Sequence, residues 1–446
     1  MEKIVLVHLS DIHFTRTSGV TVHDLDRNVR HELVLDATKV AAEIGPVTGI
    51  LVTGDIAFSG TKDEYDQATA WLREFCKAIG CHAENVWVVP GNHDVDRQRT
   101  KQKLTRMLHQ GIRKESSDVD TELREILSDS QSAAALLEPL TEYNTFAGRF
   151  GCSISADKHY WERDLNLSCG TVIRLRGLTS ALVSNEDDRR TGIVLGTAQA
   201  SVERALGVIH LTLCHHPPDW LRDHDAIEDH LKSKVHIQLF GHKHSQRLDE
   251  INGKVRLVAG AMHPERGEGG WLPTYNFLEL SRRDNDFIAL RVYQRQWNQS
   301  DTNFVAWHDS NSGKDHREFS LPSFLIATKT ETHSVVSPEA RIADATVLAQ
   351  SPVMTIAVTE KDDSMPPQNY ERRLTYRFLT LPFRHQITVA KNLDVLMDAD
   401  LALSDGALFR LLFKRADERG LLSKLWDETE KLHNDPAESN PFEITK

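Results

Sequence analysis

Five short apolar runs in this chain each stop within a few residues at a His, Asp or Asn. No other feature of the sequence constrains the fold as much. Residues 4–9 run into Ser10, Asp11, Ile12 and His13, and residues 49–52 into Thr53, Gly54 and Asp55. Residues 86–89 run into Pro90, Gly91, Asn92, His93 and Asp94. Residues 208–213 meet Cys214, His215, His216, Pro217 and Pro218, and residues 235–240 meet Gly241, His242, Lys243 and His244. Short Val-, Ile- and Leu-rich runs suit buried strands, and Gly or Pro beside polar groups ends them. Open α/β sheets build their sites at the carboxyl ends of their strands. Groups that hold metals and protons therefore collect along one edge of the predicted sheet.

The spacing within the endings adds to this. Asp11 and His13 lie two apart, as do His242 and His244, and on an extended backbone such pairs face one side. A carboxylate and an imidazole, or two imidazoles, then reach one ion. Alone, Asp-x-His more often marks a turn Asp beside a surface His; the weight rests on five endings in order. Gly54 lets the backbone beside Asp55 approach a bound ion closely. His215 and His216 share a rigid exit stopped by two prolines, and the spacing leaves open which of them is a ligand.

Helical periodicity fills the gaps. Residues 24–44 end at Gly45 and Pro46, and residues 63–79 carry Tyr65, Ala68, Trp71, Leu72 and Phe75 on one core face. From about 95 to 151 the strand pattern gives way to charged helical text with Leu104, Met107, Leu108, Leu123, Ile126 and Leu127. We read it as a helical cap, inserted where substrate selection commonly resides. Strands resume over 165–182, 257–261, 275–280 and 287–297. The expected fold is α/β, a four-layer α/β/β/α sandwich over residues 1–325. A linker rich in Thr, Ser, Asp and Glu follows over 326–367, and then a small all-α helical bundle over 368–446.

Composition sets the outer bounds. At 446 residues two domains are expected, and 40% hydrophobic with 26% charged residues is ordinary for a globular protein. No apolar run reaches the length of a membrane span, and the first residues lack a secretory h-region, so a cytoplasmic protein without a membrane partner is expected. Five cysteines without a CxxC pair read as reduced thiols. A net charge of −12 argues against a protein that coats nucleic acid. It leaves room for a local basic groove, to which Arg97, Arg99, Lys101, Lys103 and Arg106 could contribute; otherwise they form a solvated helix face.

Asp11, His13, Asp55, Asn92, His215, His242 and His244 are mixed oxygen and nitrogen donors. They suit divalent ions of the Mn, Fe, Zn or Ni class, with Mn the first expectation. Seven ligands exceed the needs of one ion, so two ions sharing Asp55 is the economical count. Such a pair activates water and clamps the non-bridging oxygens of a phosphate, which makes phosphoester hydrolysis the expected reaction. His93 points to the other side of its loop, where it could protonate the leaving oxygen or stabilise the pentacoordinate state.

The ordered set D-I-H at 11–13, G-D at 54–55, G-N-H-D at 91–94, H-H-P-P at 215–218 and G-H-K-H at 241–244 resembles the calcineurin-like metallophosphoesterases over about residues 1–300. The resemblance implies Asp11, His13, Asp55 and His244 around one ion, and Asp55, Asn92, His215 and His242 around the other. It further implies His93 and Asp55 as catalytic, and His215 rather than His216 as ligand. The H-H-P-P form is similar to the bacterial cyclic-nucleotide phosphodiesterase branch, and the DNA-repair nuclease branch shares most motifs. A phosphodiesterase acting on nucleotides or cyclic nucleotides is the leading implication. Alternatives are a nuclease of DNA or RNA in a bacterial defence system, a phosphomonoesterase, and a non-catalytic adaptor. The carboxyl-terminal stretch resembles the small helical effector-associated domains of bacterial conflict systems, which implies docking to a protein partner.

Overall fold

The computed structural model describes residues 1–15, 25–114, 118–262, 272–283, 287–309 and 312–322, and beyond them 374, 377–378, 381, 383–397, 400 and 405–432. The chain divides into two units, Met1–Thr328 and Lys329–Lys446. The linker expected over 326–367 lies outside the described residues.

The first unit is built on two sheets. The first contains β1 (Lys3–Leu9), β2 (Gly49–Val52), β3 (Val86–Val88), β10 (Thr274–Arg282), β11 (Phe287–Asn298), β12 (Asn303–Ala306) and β13 (Arg317–Pro322). Its order is β12-β11-β10-β1-β2-β3, with β13 also on β11, and β1, β2 and β3 run parallel. The second contains β4 (Tyr160–Asn166), β5 (Val172–Leu178), β6 (Val208–Cys214), β7 (Ile237–Phe240), β8 (Arg247–Ile251) and β9 (Lys254–Val258), in the order β4-β5-β6-β7-β9-β8. There β5, β6, β7 and β9 are parallel. The parallel alignment in each sheet brings the predicted strand ends to one edge.

Residues 4–9 of β1 are all buried, as a strand covered on both faces requires. One core joins the two sheets with α1 (Leu25–Ile44) and α2 (Lys62–Ala78). A second core packs Ile227 and Leu231 of α9 (His224–Lys234) on Leu178, Cys214, Phe240 and Val258 of the second sheet. The layers run α/β/β/α. A capping box starts α2: Glu64 accepts from Thr61 N at 3.0 Å and from Ser59 N at 3.0 Å.

Between β3 and β4 lie α3 (Arg97–Thr100), α4 (Lys103–Arg113), α5 (Val119–Ser128), α6 (Ser130–Leu137) and α7 (Thr141–Gly148). The face α4 buries differs from its apolar pattern. Leu104 and Met107 are 50% and 58% exposed, while Thr105, His109 and Ile112 point inward. Polar anchors set that rotation: Thr105 Oγ1 donates to Ala135 O at 3.1 Å, and Arg113 donates to Val183 O and Asn185 Oδ1. Sequence periodicity also passed over β8, β12 and β13, whose exposed faces carry charged and polar residues that mask the apolar alternation.

The second unit has its own core. In α10 (Phe383–Asn392), α11 (Asp405–Glu418) and α12 (Leu422–Glu430), Val389, Ala390, Leu408, Leu412, Ala416, Leu425 and Trp426 are buried together with Leu374, Phe378 and Leu381. Arg377 pairs with Glu430, and Arg415 with Asp400. Met397, at the end of the segment after α10, is 54% exposed. No helix among the described residues is long and apolar enough to cross a membrane.

Candidate metal centre

Beyond the ends of β1 and β2 the two chains remain zipped together. Asp11 N donates to Gly54 O at 3.0 Å, His13 N to Asp55 O at 3.0 Å and Phe14 N to Ile56 O at 2.8 Å. This segment is not extended. Asp11, His13 and Asp55 have φ of 52°, 51° and 53°, and His242 and His244 have 70° and 52°. The side chains therefore converge by left-handed turns, and the same-face argument for residues two apart on a strand does not describe them. A non-glycine residue held there costs on the order of 1–3 kcal/mol, and such strain clusters at functional sites.

Asp94 holds the strained loops together. Its carboxylate accepts from Ile56 N at 3.1 Å, Ala57 N at 2.9 Å, Gly91 N at 2.9 Å and the Tyr65 hydroxyl at 3.0 Å. Gly91 is required beside it: a Cβ there would stand 2.1 Å from Asp55 Oδ1. Sequence reasoning quoted Asp94 within G-N-H-D but gave it no role; a buried acid at the end of the motif was the available signal.

Asp55 lies at the middle of the cluster. Its Oδ2 is 3.2 Å from His13 Nε2 and 3.3 Å from His215 Nε2, and its Oδ1 accepts from His93 N at 2.8 Å. His215 Nε2 is 3.1 Å from Asn92 Oδ1, while its Nδ1 is 2.8 Å from Thr53 O. A carbonyl only accepts, so Nδ1 carries a proton and Nε2 is the nitrogen turned toward Asp55 and Asn92. Asp11 Oδ1 is 3.5 Å from His244 Nε2, and Asp11 Oδ2 accepts from His242 N at 3.3 Å. The His242 ring lies 5.2 Å from His215 and 4.6 Å from His216. His93 stacks obliquely 4.8 Å from His13, and its Nδ1 donates to Phe58 O at 2.9 Å, leaving Nε2 for chemistry.

The seven predicted donors and His93 are thus brought to one place. Among the described residues three groupings have ligand atoms close enough for a single ion: Asp11, Asp55 and His215; His13, Asp55 and His93; and His215, His216 and His242. Asp55 belongs to two of them. His216 belongs to the third, with its Nδ1 2.8 Å from Ser180 Oγ and its buried Nε2 without a hydrogen-bond partner among the described residues, while Asp55 and Asn92 face His215.

Burial makes every charge here expensive, and the groups offset one another. Burial pushes Asp55 up, but His215, His93 and His13 outweigh it and hold the carboxyl well below its usual range. For His215 burial lowers the imidazole, yet Asp55 and Asp11 raise it to about 9. Burial, with the neighbouring His215, drops His242 to about 3. Two buried carboxylates thus draw in protons that a cation can replace. The donor set fits divalent metal: Asp11 Oδ1 is buried without a hydrogen-bond partner, and hard oxygens alternate with imidazole nitrogens.

Comparison with known proteins agrees with this geometry. Residues 370–431 match the model of the GTPase-associated adaptor domain. An uncharacterized metallophosphoesterase-like protein, YydB of Bacillus subtilis, is 24% identical over 332 residues, covering 70% of this chain and 62% of that relative. Among solved structures, a purple acid phosphatase from yellow lupin matches with a TM-score of 0.38 and 14% identity, over 72% of this chain and 54% of that one. A putative 5'-nucleotidase from Staphylococcus aureus matches with a TM-score of 0.33 and 11% identity, over 74% and 56%. The chain therefore spans a little over half the length of each of these two. The model of calcineurin-like phosphoesterases matches residues 4–246, which hold every donor described above, and the chain belongs to that family.

Proposed function

We propose that the first unit is a dinuclear metal-dependent phosphodiesterase acting on nucleotides or cyclic nucleotides. The observation that carries this reading is Asp55, whose one carboxylate faces His13 on one side and His215 with Asn92 on the other. Asp11, His13, Asp55 and His244 would hold one ion, and Asp55, Asn92, His215 and His242 the second, with Mn the first choice and Fe, Zn or Ni as alternatives. When bound, the ions supply charge neutralisation at the phosphate and a more acidic water. His93, whose Nδ1 donates to Phe58 O, presents Nε2 to the leaving oxygen as the group that exchanges a proton with it. Thr53 O keeps the His215 ring in its ligating tautomer.

Small substrates are favoured over long nucleic acid by the fate of the basic run after G-N-H-D. Arg99 faces Asp96, Glu138 and Glu142, and Lys101 pairs with Glu186 at 3.1 Å, so two of its five cations are already paired with carboxylates. The adaptor-domain match supports a protein partner for the second unit, and a cytoplasmic setting is consistent with the thiols.

The test is hydrolysis of bis-p-nitrophenyl phosphate beside p-nitrophenyl phosphate, with Mn restored to stripped protein. Diester turnover should exceed monoester turnover. Asp55→Ala should lose both metal and rate, whereas His93→Ala should keep two ions per chain and lose rate roughly 10²- to 10⁴-fold. Equal loss of metal in both variants would undo the division of roles, and monoester preference would undo the diesterase reading.

A further inference from the structure

A cleft of about 760 Å³ opens between α4 and the loop 185–192, with Arg222 contributing from the segment before α9. None of the eight metal-centre residues lines it. Five cations, Arg106, Arg113, Lys114, Arg189 and Arg222, face three carboxylates, Glu186, Asp187 and Asp188. Two of those carboxylates are engaged: Asp188 pairs with Arg113 inside the cleft, and Glu186 with Lys101 outside it. Arg106 and Arg189, both exposed, have no ion-pair partner among the described residues. In a chain of net charge −12, two guanidiniums without an ion-pair partner among the described residues, lining one concavity, are an anion-binding arrangement.

A second observation concerns the floor. His109 is 1% exposed and lines the cleft, and its Nε2 has no hydrogen-bond partner; Arg113 Nε and Asp188 Oδ2 beside it are likewise buried and unpartnered. Buried polar atoms are nearly always satisfied, so three orphans under one cleft mark polar capacity that the chain does not use itself. Arg113 Nε is a donor, Asp188 Oδ2 an acceptor, and His109 Nε2 a donor because its Nδ1 accepts from Asn185 Nδ2 at 3.3 Å; together they complement hydroxyl groups, which both donate and accept. Among the described residues no Phe, Tyr or Trp lines the cleft to offer a face on which a base could stack. The acidic Glu186 and Asp187 on the rim oppose a long polyanion.

We propose that this cleft binds a small phosphorylated polyol or sugar, with Arg106 and Arg189 taking the phosphate and the floor around His109 taking hydroxyls, separately from the metal centre. The ligand occupies the loop whose Arg190 pairs with Asp219 at 2.5 Å, and Asp219 in turn pairs at 2.7 Å with Lys243, the residue between His242 and His244.

The experiment is titration calorimetry of the full chain at physiological ionic strength, with glycerol 3-phosphate and inorganic phosphate as probes. One equivalent of glycerol 3-phosphate should bind more tightly than phosphate, and the binding should persist in Asp55→Ala. It should weaken at least tenfold in the Arg106→Glu/Arg189→Glu double variant. Both side chains are exposed, so that variant should melt like the parent, which circular dichroism verifies. The inference is overturned if neither probe binds, or if binding vanishes with Asp55→Ala and survives the double variant. Preferential binding of a single-stranded oligonucleotide at these arginines would overturn the ligand class.

Discussion

At the scale of single residues the site is a balance between backbone strain and the groups that hold it. Five of the donors stand at positive φ, and the Asp94 carboxylate secures the segment carrying Asp55 to the loop carrying Asn92 and His93. Asp94→Asn exchanges one acceptor oxygen for a donor NH₂ facing backbone amides. We expect it to cost on the order of 2–3 kcal/mol, with fewer than two ions retained per chain. Unfolding and metal analysis on one preparation check this; unchanged stability with full metal content would show that Asp94 is dispensable. Gly91→Ala should fold yet lose most activity, because its Cβ would displace the Asp55 carboxylate from 2.1 Å away. Diester hydrolysis within threefold of the parent would refute that. The donors were legible in sequence because their chemistry is carried by residue type. The left-handed turns were not, since nothing in the period of a strand signals that an Asp or His will adopt αL.

At the scale of elements the decisive piece is β3, a three-residue strand at the edge of its sheet that delivers Asn92 and His93. An edge strand leaves backbone groups to be satisfied by whatever covers it. Here Val88 O accepts from Tyr143 Oη at 3.1 Å, on α7 of the cap, and from Trp161 Nε1 at 2.8 Å, on β4 of the other sheet. One carbonyl thus ties the insertion and both sheets to the site strand. Tyr143→Phe and Trp161→Phe should each cost about 1 kcal/mol. The double variant should cost more than their sum, because only then is a buried carbonyl left without a partner. Strict additivity in a double-mutant cycle would show that the two donors act independently. Strand, loop and the insertion could be read from the alternation of apolar runs and helical text. The clasp could not, because Tyr143 and Trp161 are 55 and 73 residues from Val88 and share no local pattern with it.

At the scale of the whole molecule two units, each with core residues of its own, imply two separable responses. The composition change near 326 led to an expected boundary there, and the chain divides after Thr328; which helix faces would be buried awaited the packing. Removal of residues beyond about 366 should leave diester hydrolysis within about twofold, and abolished hydrolysis would show that the first unit needs the second. Acid distinguishes the units further. Burial lowers His8 to about 3, and lowers His109 and His236 to about 4, all in the first unit. Their unfolded imidazoles take a proton near pH 6.5, before the folded ones do. Stability from their neutrality is therefore complete above about 6.5 and lost as pH falls toward 4 and 3, each group contributing on the order of 1.4 kcal/mol per pH unit within its window. Asp94 opposes this, since burial followed by the Asp55 charge raises it to about 6, and burial raises Asp188 and Asp223 as well, but burial also lowers His159, His210, His216 and His242 alongside the three. In the second unit Asp400 is held below its usual range by Arg415, so its loss begins only below about pH 4. Calorimetry of chelated protein between pH 7 and 4.5 should thus show the first unit's transition falling while the second holds. His109→Asn should make the first fall shallower by about one proton. Parallel descent of both transitions, with no change in that variant, would locate the acid sensitivity elsewhere than in these buried imidazoles.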